Sequence, residues 1–361
     1  MRKAAIPCQP IGGDHSWLGP DLAKREDAWI YRLSEAQRRE ILEAYRIYEA
    51  SAKDYLDATQ ADFPLPTVAR ALRTLMRQVE EGCGFLVLRG LPLENLTEQQ
   101  VRGLYWGLCL HLGVVVPQSG EGEMIGDVRS KGDKIEVTGR SYRSADASGI
   151  HTDSADIAML LCRRKAKAGG RSLVLSAAAI HDRIAETRPD ILPGLYEPLP
   201  IKLARVAGEQ PWYTCPLYGV RDGWFSSRFQ SSRYPVDFEI KGAPEMTPLQ
   251  KEGIVLAKQY CLEPEFQLEM QMEPGDIQIL NNHLVYHGRT AFEDHPEFDR
   301  KRHLMRLWMA PVTSRPLPPG WAHAYRSVEP ATVRGGQGAW LFPERFGAYY
   351  KRAAADLEMG L

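Results

Sequence analysis

The sequence predicts one β-rich domain, a sandwich or a barrel, preceded by a helical N-terminal flank. From about residue 122 onward, short apolar or alternating segments are separated by Gly, Pro, Asn and Asp, which is typical of sandwiches and barrels. Upstream of that point, amphipathic segments with helix-capping residues surround a short apolar run. No Ser/Gly-rich linker or internal repeat divides the chain.

Composition and charge exclude several classes of protein. The 361 residues are 44% hydrophobic, which is enough for a sizeable core. A formal net charge of -1 creates no field that would recruit nucleic acid or an anionic membrane, so we expect neither as a partner. The six cysteines form no C-x-x-C pair, as in reducing compartments. Without a signal-like start or a run of about 18 apolar residues, the protein is expected to be cytoplasmic.

Three helices are predicted in the N-terminal part. The first begins after Ser34, whose hydroxyl can form a capping box with Gln37. The second covers "TVARALRTLMRQVEEG" and ends at Gly82, where we expect a left-handed glycine cap. The third begins after Thr97, again with a glutamine, Gln100, three residues later. Between the second and third helices, "GFLVLRG" predicts a buried strand.

The remainder of the chain alternates predicted strands with two helices. The helices cover about 177–187 and 247–260, and the second has Thr247 as its cap and Pro248 at its first position. Because these helices do not alternate regularly with the strands, they indicate insertions in a β-rich domain. The predicted strands are "EMIGDV", "IAMLLC", "SLVLS", "IKLARV", "DIQIL" and "LMRLWMA".

We therefore predict three parts along the chain. Residues 1–83 form the helical flank, and residues 84–312 form the β-rich domain, with an insert at about 205–262. Residues 313–361 are rich in proline, glycine and aromatic side chains. This tail is expected to pack on the surface of the domain.

A histidine and an aspartate in "GIHTDSAD" are candidate metal ligands. His151 and Asp153 lie two residues apart, just before the apolar run "IAMLLC". Because alternate residues of a strand share a face, both can point at one ion while Thr152 points away. A second such pair, His295 and Glu297, lies in a polar, proline-interrupted segment and is expected to be a solvated loop.

A third ligand is expected from "PGDIQILNNHLVYHGRTAF", which contains His283 and His287. The residues between these histidines do not indicate a helix, so we expect one to be a ligand and the other structural. Two imidazoles and one carboxylate that leave open positions suit the iron(II) of oxygen-activating enzymes. A structural zinc site would instead fill its coordination shell with protein ligands.

Four segments resemble, in order, the motifs of the TauD/TfdA (taurine dioxygenase-like) family: "HTD", "AGGRS", "NNHLVYHGRTAF" and "RKRHLMRLWMAP". The resemblance covers roughly residues 84–312. It implies an iron(II)- and 2-oxoglutarate-dependent dioxygenase with a mainly β fold, a double-stranded β-helix (jelly-roll) core with flanking helices. It also implies that the distal iron ligand is His287, in "HGRT", rather than His283.

A co-substrate site follows from the same resemblance. Arg302 and Arg306 match the family's two arginines, which lie four residues apart and so on one face of a strand. Arg302 is expected to bind a carboxylate of 2-oxoglutarate, because a guanidinium is always charged and bidentate. Arg306 is expected to bind the same anion or a neighbouring group of the substrate. The family's threonine hydroxyl corresponds to Ser172 in "GGRS", which keeps the donor and loses the methyl group.

The expected reaction uses O2 to convert 2-oxoglutarate into succinate and CO2 and to hydroxylate an unactivated C–H bond. The substrate is expected to be a small molecule: an amino-acid-like compound, a carboxylate or a natural-product intermediate. A zinc-dependent hydrolase that uses the same three ligands and a non-catalytic jelly-roll binding protein are the alternatives. A homo-oligomer is compatible with the sequence. The expected substrate contacts are Tyr142, Arg143, Trp224, Phe225, Arg228 and Arg233.

Overall fold

The computed structural model describes residues 9–130, 144–203, 211–337 and 343–361. None of the helices in these ranges combines the length and the apolar character that a membrane crossing requires. The α-helices are α1 (Gly19–Ala23), α2 (Glu35–Ser51), α3 (Val68–Glu81), α4 (Glu98–Cys109), α5 (Ala177–Thr187), α6 (Leu192–Leu195), α7 (Pro248–Leu262), α8 (Ala322–Tyr325) and α9 (Pro343–Asp356).

The strands form a large sheet, a smaller sheet and three two-stranded ribbons within the described ranges. The strands are β1 (Ile30–Arg32), β2 (Phe85–Arg89), β3 (Gly113–Val116), β4 (Ile125–Val128), β5 (Ser148–His151), β6 (Ile157–Arg164), β7 (Ala168–Gly169), β8 (Ser172–Ser176), β9 (Leu199–Lys202), β10 (Trp212–Cys215), β11 (Tyr218–Arg221), β12 (Trp224–Ser227), β13 (Leu268–Met270), β14 (Ile277–Asn281), β15 (Val285–Arg289), β16 (Phe292–Glu293) and β17 (His303–Pro311).

The two main sheets face each other. The large sheet has the order β1-β2-β14-β6-β17-β3, with β4 also pairing with β17, and the smaller sheet has the order β13-β8-β15-β5. A hydrogen bond from Ser172 on β8 to Gln278 on β14 joins them. β1 lies within the predicted helical flank but pairs in parallel with β2. The predicted strand "GFLVLRG" is therefore an interior strand of the large sheet, between β1 and β14.

The N-terminal helices begin where their capping residues predict. Ser34 with Gln37 and Thr97 with Gln100 form complete capping boxes, in which each pair satisfies two backbone donors. The glycine cap predicted at Gly82 is wrong, because Gly82 has a φ of -102°. The left-handed conformation instead occurs two residues later, at Gly84 with a φ of 85°. There the chain passes close to Leu284 and Val285, and a Cβ atom at Gly84 would collide with them.

The helices cover the outer side of the large sheet and complete the hydrophobic core. α3 packs on β2 and β14, and α2 packs on α4. The predicted apolar face of α3 is buried, and it consists of Val68, Leu72, Leu75, Met76 and Val79. One continuous cluster of buried apolar residues joins these helices to both sheets. Close packing of this kind holds the strands of both sheets in fixed positions.

The segment after β17 is tied to the sheets by buried polar contacts. Arg315 donates to the carboxylate of Glu80 in α3, and both side chains are buried. Arg334 forms an ion pair with Asp156 at 2.8 Å. The Tyr349 hydroxyl accepts a hydrogen bond from the backbone of Val115 at 2.9 Å. The C-terminal part is therefore integrated into the fold rather than laid loosely on its surface.

Candidate metal centre and co-substrate site

The two candidate histidines lie opposite each other on paired strands. His151 ends β5, and His287 lies in the middle of β15; the antiparallel register places them directly across from one another. Their ring centroids are 4.6 Å apart. Strand pairing therefore brings together two residues that are far apart in the sequence and points their rings to the same side of the small sheet.

Asp153 completes the group two residues beyond the end of β5. Its carboxylate oxygens lie 3.7 Å from Nε2 of His151 and 3.7 Å from Nε2 of His287. The potential ligand atoms of all three residues lie within 4.8 Å of one another. Thr152 points away, and its hydroxyl contacts the backbone of Phe229. The side chains of His151 and Asp153 converge as predicted, but Asp153 lies beyond the end of β5, so strand alternation does not account for its position.

Both histidines direct Nε2 toward this group. Nδ1 of His151 lies 2.7 Å from the carbonyl oxygen of Gly149. A carbonyl only accepts, so Nδ1 carries a proton, and Nε2 is the nitrogen that faces Asp153. Burial, together with the nearby His151 ring, lowers the pKa of His287 to about 3. A neutral ring is the form that binds a metal ion.

Asp153 is held as a charged acceptor. The indole N–H of Trp308 donates to Oδ2 at 2.8 Å, and Arg306 donates to Oδ1 at 3.3 Å. The backbone N–H of Asp153 donates to the side chain of Asn282 at 2.9 Å. Burial alone would raise the pKa of Asp153, but Arg306, the two histidines and the indole outweigh it and lower the pKa to about 2.

Arg306 is itself positioned by a glutamine from the segment after β3. Nε of Arg306 donates to Gln118 at 2.7 Å, and Gln118 donates back to the Arg306 carbonyl at 2.8 Å. Gly126 leaves space for this amide, because a Cβ atom there would lie 2.9 Å from it. Arg306 was expected to bind 2-oxoglutarate or a neighbouring group of the substrate; in the structure its partners include the carboxylate of Asp153.

A second polar group lies around Phe292. The guanidinium carbons of Arg289 and Arg302 lie 4.5 Å and 5.2 Å from the centre of its ring. Burial lowers the pKa of Arg302 to about 10. Burial, and then the positive charge of Arg302, lower the pKa of Arg289 to about 10. Two neighbouring buried cations create a positive potential that favours an anion.

Arg302 is the member of this pair whose guanidinium is available to a ligand. This guanidinium makes no hydrogen bond or ion pair within the described ranges, although only 6% of the residue is exposed. Gly170, with a φ of 68°, leaves space for it, since a Cβ atom there would lie 3.1 Å from Nε. Arg289, which the sequence analysis missed, donates to the carbonyls of Ser144 and Asp146 at 3.1 Å and 2.7 Å.

Ser172 lies beside the arginine pair. It is opposite Arg289 in the register of β8 and β15, so both side chains lie on the same face of the small sheet. Its hydroxyl donates to Oε1 of the buried Gln278 at 2.9 Å. To donate to a carboxylate at Arg302, the hydroxyl must rotate away from Gln278.

His283 is engaged elsewhere, as the resemblance implied. Its Nε2 lies 2.5 Å from Asp156, whose carboxylate also pairs with Arg334. Its ring packs 5.7 Å and 5.1 Å from those of Trp321 and Tyr325. This network connects the segment after Asp153 to the segment before His287. His283 therefore has a structural role.

The predicted substrate residues are scattered. Tyr142 and Arg143 lie outside the described residues. Phe225 is buried on β12 against His181 and Tyr218, and Arg315 lies over the ring of Trp224. No contact within the described ranges connects either of these two aromatic residues to the three-residue group, so the structure gives their predicted role no support.

Arg228 and Arg233, in contrast, belong to a segment that contacts the candidate metal strand. Arg228 is buried and reaches the hydroxyl of Ser154, the residue after Asp153, at 3.2 Å. Arg233 is half-buried and lies two residues after Ser231, which donates to the Ile150 carbonyl at 2.8 Å. Two of the six predicted substrate residues therefore lie near the site.

The comparisons with known proteins agree with this architecture. Two solved structures of similar fold are asparagine oxygenase in complex with Fe(II), (2S,3S)-3-hydroxyasparagine and succinate, with a TM-score of 0.61 and 17% identity, and the non-haem iron oxygenase OrfP in complex with Fe and alpha-ketoglutaric acid, with a TM-score of 0.58 and 15% identity. Each alignment covers 78% of this chain and 93% of the other. The likeness confirms the predicted jelly-roll core.

The chain belongs to the TauD/TfdA family: the family model "Taurine catabolism dioxygenase TauD, TfdA family" matches residues 49–308. FR-33289 synthase of Streptomyces rubellomurinus (strain ATCC 31215) is 31% identical over 319 residues, which cover 86% of this chain and 93% of that protein. The taurine hydroxylase-like protein SAT17 of Stachybotrys chartarum (strain CBS 109288 / IBT 7711) is 26% identical, with 86% of this chain and 82% of that protein covered.

Membership of this family defines the enzyme class. The protein is a non-haem iron(II)- and 2-oxoglutarate-dependent dioxygenase that acts on a small molecule, with O2 as the oxidant. The two alternatives, a zinc-dependent hydrolase and a non-catalytic binding protein, receive no support from the relatives.

Proposed function

We propose that His151, Asp153 and His287 hold the iron(II) and that 2-oxoglutarate binds with its distal carboxylate at Arg302. The observation that carries the proposal is the convergence of the three ligand atoms within 4.8 Å of one another, with the two histidines on paired strands of the small sheet. Two imidazoles and one carboxylate leave coordination positions for the keto acid and for O2.

The donor set fits iron(II). The Nδ1–H of His151 donates to Gly149, which leaves Nε2 as its nitrogen for the metal, and burial lowers the pKa of His287 to about 3, which favours its neutral form. Asp153 supplies the single negative charge. When bound, the iron supplies the redox chemistry that couples oxidative decarboxylation of 2-oxoglutarate to hydroxylation of a C–H bond.

The residues around Asp153 orient it. Trp308 and Arg306 each donate to one carboxylate oxygen, which fixes the plane of the group and keeps it deprotonated. Such outer partners raise metal affinity because the ligand is pre-organised. Hydroxylation at a metal centre needs no general base from the protein, so the role of the chain is to bind, orient and exclude water.

The arginine pair supplies the co-substrate site. Arg302 is buried without a counter-ion in the described ranges, and burying an unpaired charge is costly. A carboxylate of 2-oxoglutarate would neutralise it through two parallel charged hydrogen bonds. Ser172 would strengthen this contact after turning away from Gln278, and Phe292 provides the flat surface on which the guanidinium groups lie.

Release of succinate from 2-oxoglutarate in air, without added substrate, tests the assignment. We expect a slow, iron-dependent release in the wild type, its loss in His287→Ala, and its retention in His283→Gln, which keeps an N–H group for Asp156. Equal loss in both variants, with both folded by circular dichroism, would contradict the choice of His287 as the distal ligand.

A further inference from the structure

The segment after β12 lies directly against the candidate metal strand. The backbone N–H of Thr152 donates to the Phe229 carbonyl at 2.8 Å, and Gln230 donates to the Thr152 carbonyl at 2.6 Å. Ser231 donates to the Ile150 carbonyl at 2.8 Å. These hydrogen bonds fix residues 229–231 against residues 150–152, next to His151 and Asp153. Arg228 and Arg233 lie on either side of this segment.

Arg228 is a buried cation surrounded by hydroxyl groups. Its guanidinium donates to the Tyr213 hydroxyl at 2.9 Å, to the Tyr325 hydroxyl at 3.3 Å and to Ser154 at 3.2 Å. Burial raises the pKa of Tyr325, so that hydroxyl stays neutral. No carboxylate within the described ranges forms an ion pair with Arg228. Its charge is therefore solvated by hydroxyl dipoles and is not neutralised.

Arg233 lies two residues after Ser231, in the segment that is hydrogen-bonded to residues 150–152. It is half-buried and its guanidinium makes no hydrogen bond or ion pair within the described ranges. Burial and the charge of Arg228 lower the pKa of Arg233, whereas Asp153 raises it. The guanidinium of Arg233 therefore has its hydrogen-bond donors available for a ligand.

Three other buried arginines, Arg129, Arg315 and Arg334, are paired with acids. Arg315 pairs with the buried Glu80, and Arg334 pairs with the buried Asp156. Arg228 departs from this pattern beside the candidate active site, as does Arg302. Arg302 has a natural counter-ion in 2-oxoglutarate. The pair formed by Arg228 and Arg233 lacks one, and uncompensated buried charge is costly unless a ligand supplies the opposite charge.

We propose that Arg233, backed by Arg228, binds an anionic group of the substrate, either a carboxylate or a tetrahedral oxyanion. This inference rests on the proposed function, because it places the substrate beside the iron ligands named above. Arg233 contributes the bidentate contact, and Arg228 raises the local positive potential without touching the anion. The anionic group would fix the substrate's distance from the iron and thereby select which C–H bond is hydroxylated.

Inorganic sulfate is the probe for this site. The protein is loaded anaerobically with iron(II) and excess 2-oxoglutarate, which occupies Arg302, and is titrated with sulfate by calorimetry at constant ionic strength. We expect saturable binding of one sulfate. Arg233→Gln should weaken it by about 10-fold or more, the loss of one charged hydrogen-bonding partner, and Arg233→Lys should recover part of it. Arg221→Gln is the matched control, since Arg221 is already paired with Glu329.

The visible charge-transfer band of the iron–2-oxoglutarate complex, recorded on the same samples, separates the two hypotheses. If the band forms and sulfate binds the wild type and Arg233→Gln equally, or binds neither, the anion site is wrong and the proposed iron and co-substrate residues stand. If Arg221→Gln also loses sulfate binding, the loss in Arg233→Gln reflects the net charge of the protein and not a site at Arg233, and the proposal is overturned. If the band is missing and sulfate does not bind, both proposals fall.

Discussion

Two groups of histidine and acidic side chains in this protein look alike by distance and differ in chemistry. His151, Asp153 and His287 form one group, and Glu98, Asp127 and His303 form the other; in each, the potential ligand atoms lie within 4.8 Å of one another. Only the first group is proposed to hold iron. The comparison shows which features, beyond proximity, make such a group a metal centre.

The second group has no free lone pair on its imidazole. Arg129 lies 2.7 Å from Nδ1 of His303, and Asp127 lies 2.7 Å from Nε2. An arginine can only donate, so Nδ1 accepts from Arg129 and the Nε2 proton goes to Asp127.

Its acids are neutralised as well. Arg102 lies 2.6 Å from Asp127, and Arg163 lies 3.1 Å from Glu98. A cation would have to displace these arginines before it could bind. The first group has one arginine, Arg306, and two imidazoles whose Nε2 atoms face the carboxylate.

Replacing the acid in each group gives the largest expected difference. Asp153→Ala should lower iron-dependent succinate release by more than the roughly 100-fold that the loss of an outer partner costs, because it removes a ligand. Asp127→Ala should leave the iron stoichiometry at one per chain, because the carboxylate of Asp127 pairs with Arg102 and His303 and is not proposed to bind iron. Metal analysis after dialysis and succinate release measure both effects. Retained iron in Asp153→Ala, or lost iron in Asp127→Ala, would reverse the assignment.

The next effect concerns the co-substrate. Arg302→Gln should raise the KM for 2-oxoglutarate about 10- to 100-fold, because a buried carboxylate would lose its charged partner. The matched control is Arg300→Gln, since Arg300 is exposed and pairs with Glu297. An unchanged KM in Arg302→Gln would move the carboxylate contact to Arg306 or Arg289.

A smaller effect is expected from the outer partner of Asp153. Trp308→Phe keeps the aromatic ring and removes the indole N–H, so the iron(II) affinity of the apoprotein should fall by about 10-fold. Trp106→Phe is the control, because its buried indole N–H has no hydrogen-bond partner within the described ranges. Equal iron affinity in Trp308→Phe and the wild type would show that Arg306 alone orients the carboxylate.

The smallest effect is the acid sensitivity of the apoprotein. The pKa of His287 is lowered to about 3 in the folded state, below the usual value of about 6.5 for an unfolded chain. The unfolded state therefore binds protons first, and His287 contributes stability that is present above about pH 6.5 and is lost as the pH falls toward 3.

Thermal unfolding between pH 7 and pH 4 measures this contribution. We expect His287→Gln to flatten the decline of the melting temperature relative to the wild type, and His295→Gln, in a loop away from the site, to leave it unchanged. A decline that is the same in all three proteins would mean that other buried groups dominate the acid sensitivity.

The sequence predicts features that depend on near neighbours. The capping boxes at Ser34 and Thr97 involve residues three positions apart, and both are confirmed at the predicted positions. The order of the motifs identified the family, and with it the fold. The helix end at Gly82 was located correctly, but its conformation was not, because Gly84, not Gly82, has to pass close to Leu284 and Val285.

Features that depend on distant partners could not be predicted. Trp308 and Asn282 meet Asp153 from positions more than a hundred residues away, and nothing local in their sequence distinguishes them from core residues. Arg289 was visible in "HGRT", but its part in the arginine pair follows from its position above Phe292. Phe225 was a substrate candidate because its segment is aromatic and basic, yet a short hairpin buries it.

The central claim is that one iron(II) and one 2-oxoglutarate meet at His151, Asp153 and His287. Anaerobic titration of the apoprotein with iron(II), and then with 2-oxoglutarate, tests it most directly through the weak visible charge-transfer band of a chelated iron–keto-acid complex. The account predicts that the band saturates at one iron per chain in the wild type and in Asp127→Ala and is missing in Asp153→Ala. A band of equal strength in Asp153→Ala, or no band in the wild type, would contradict it.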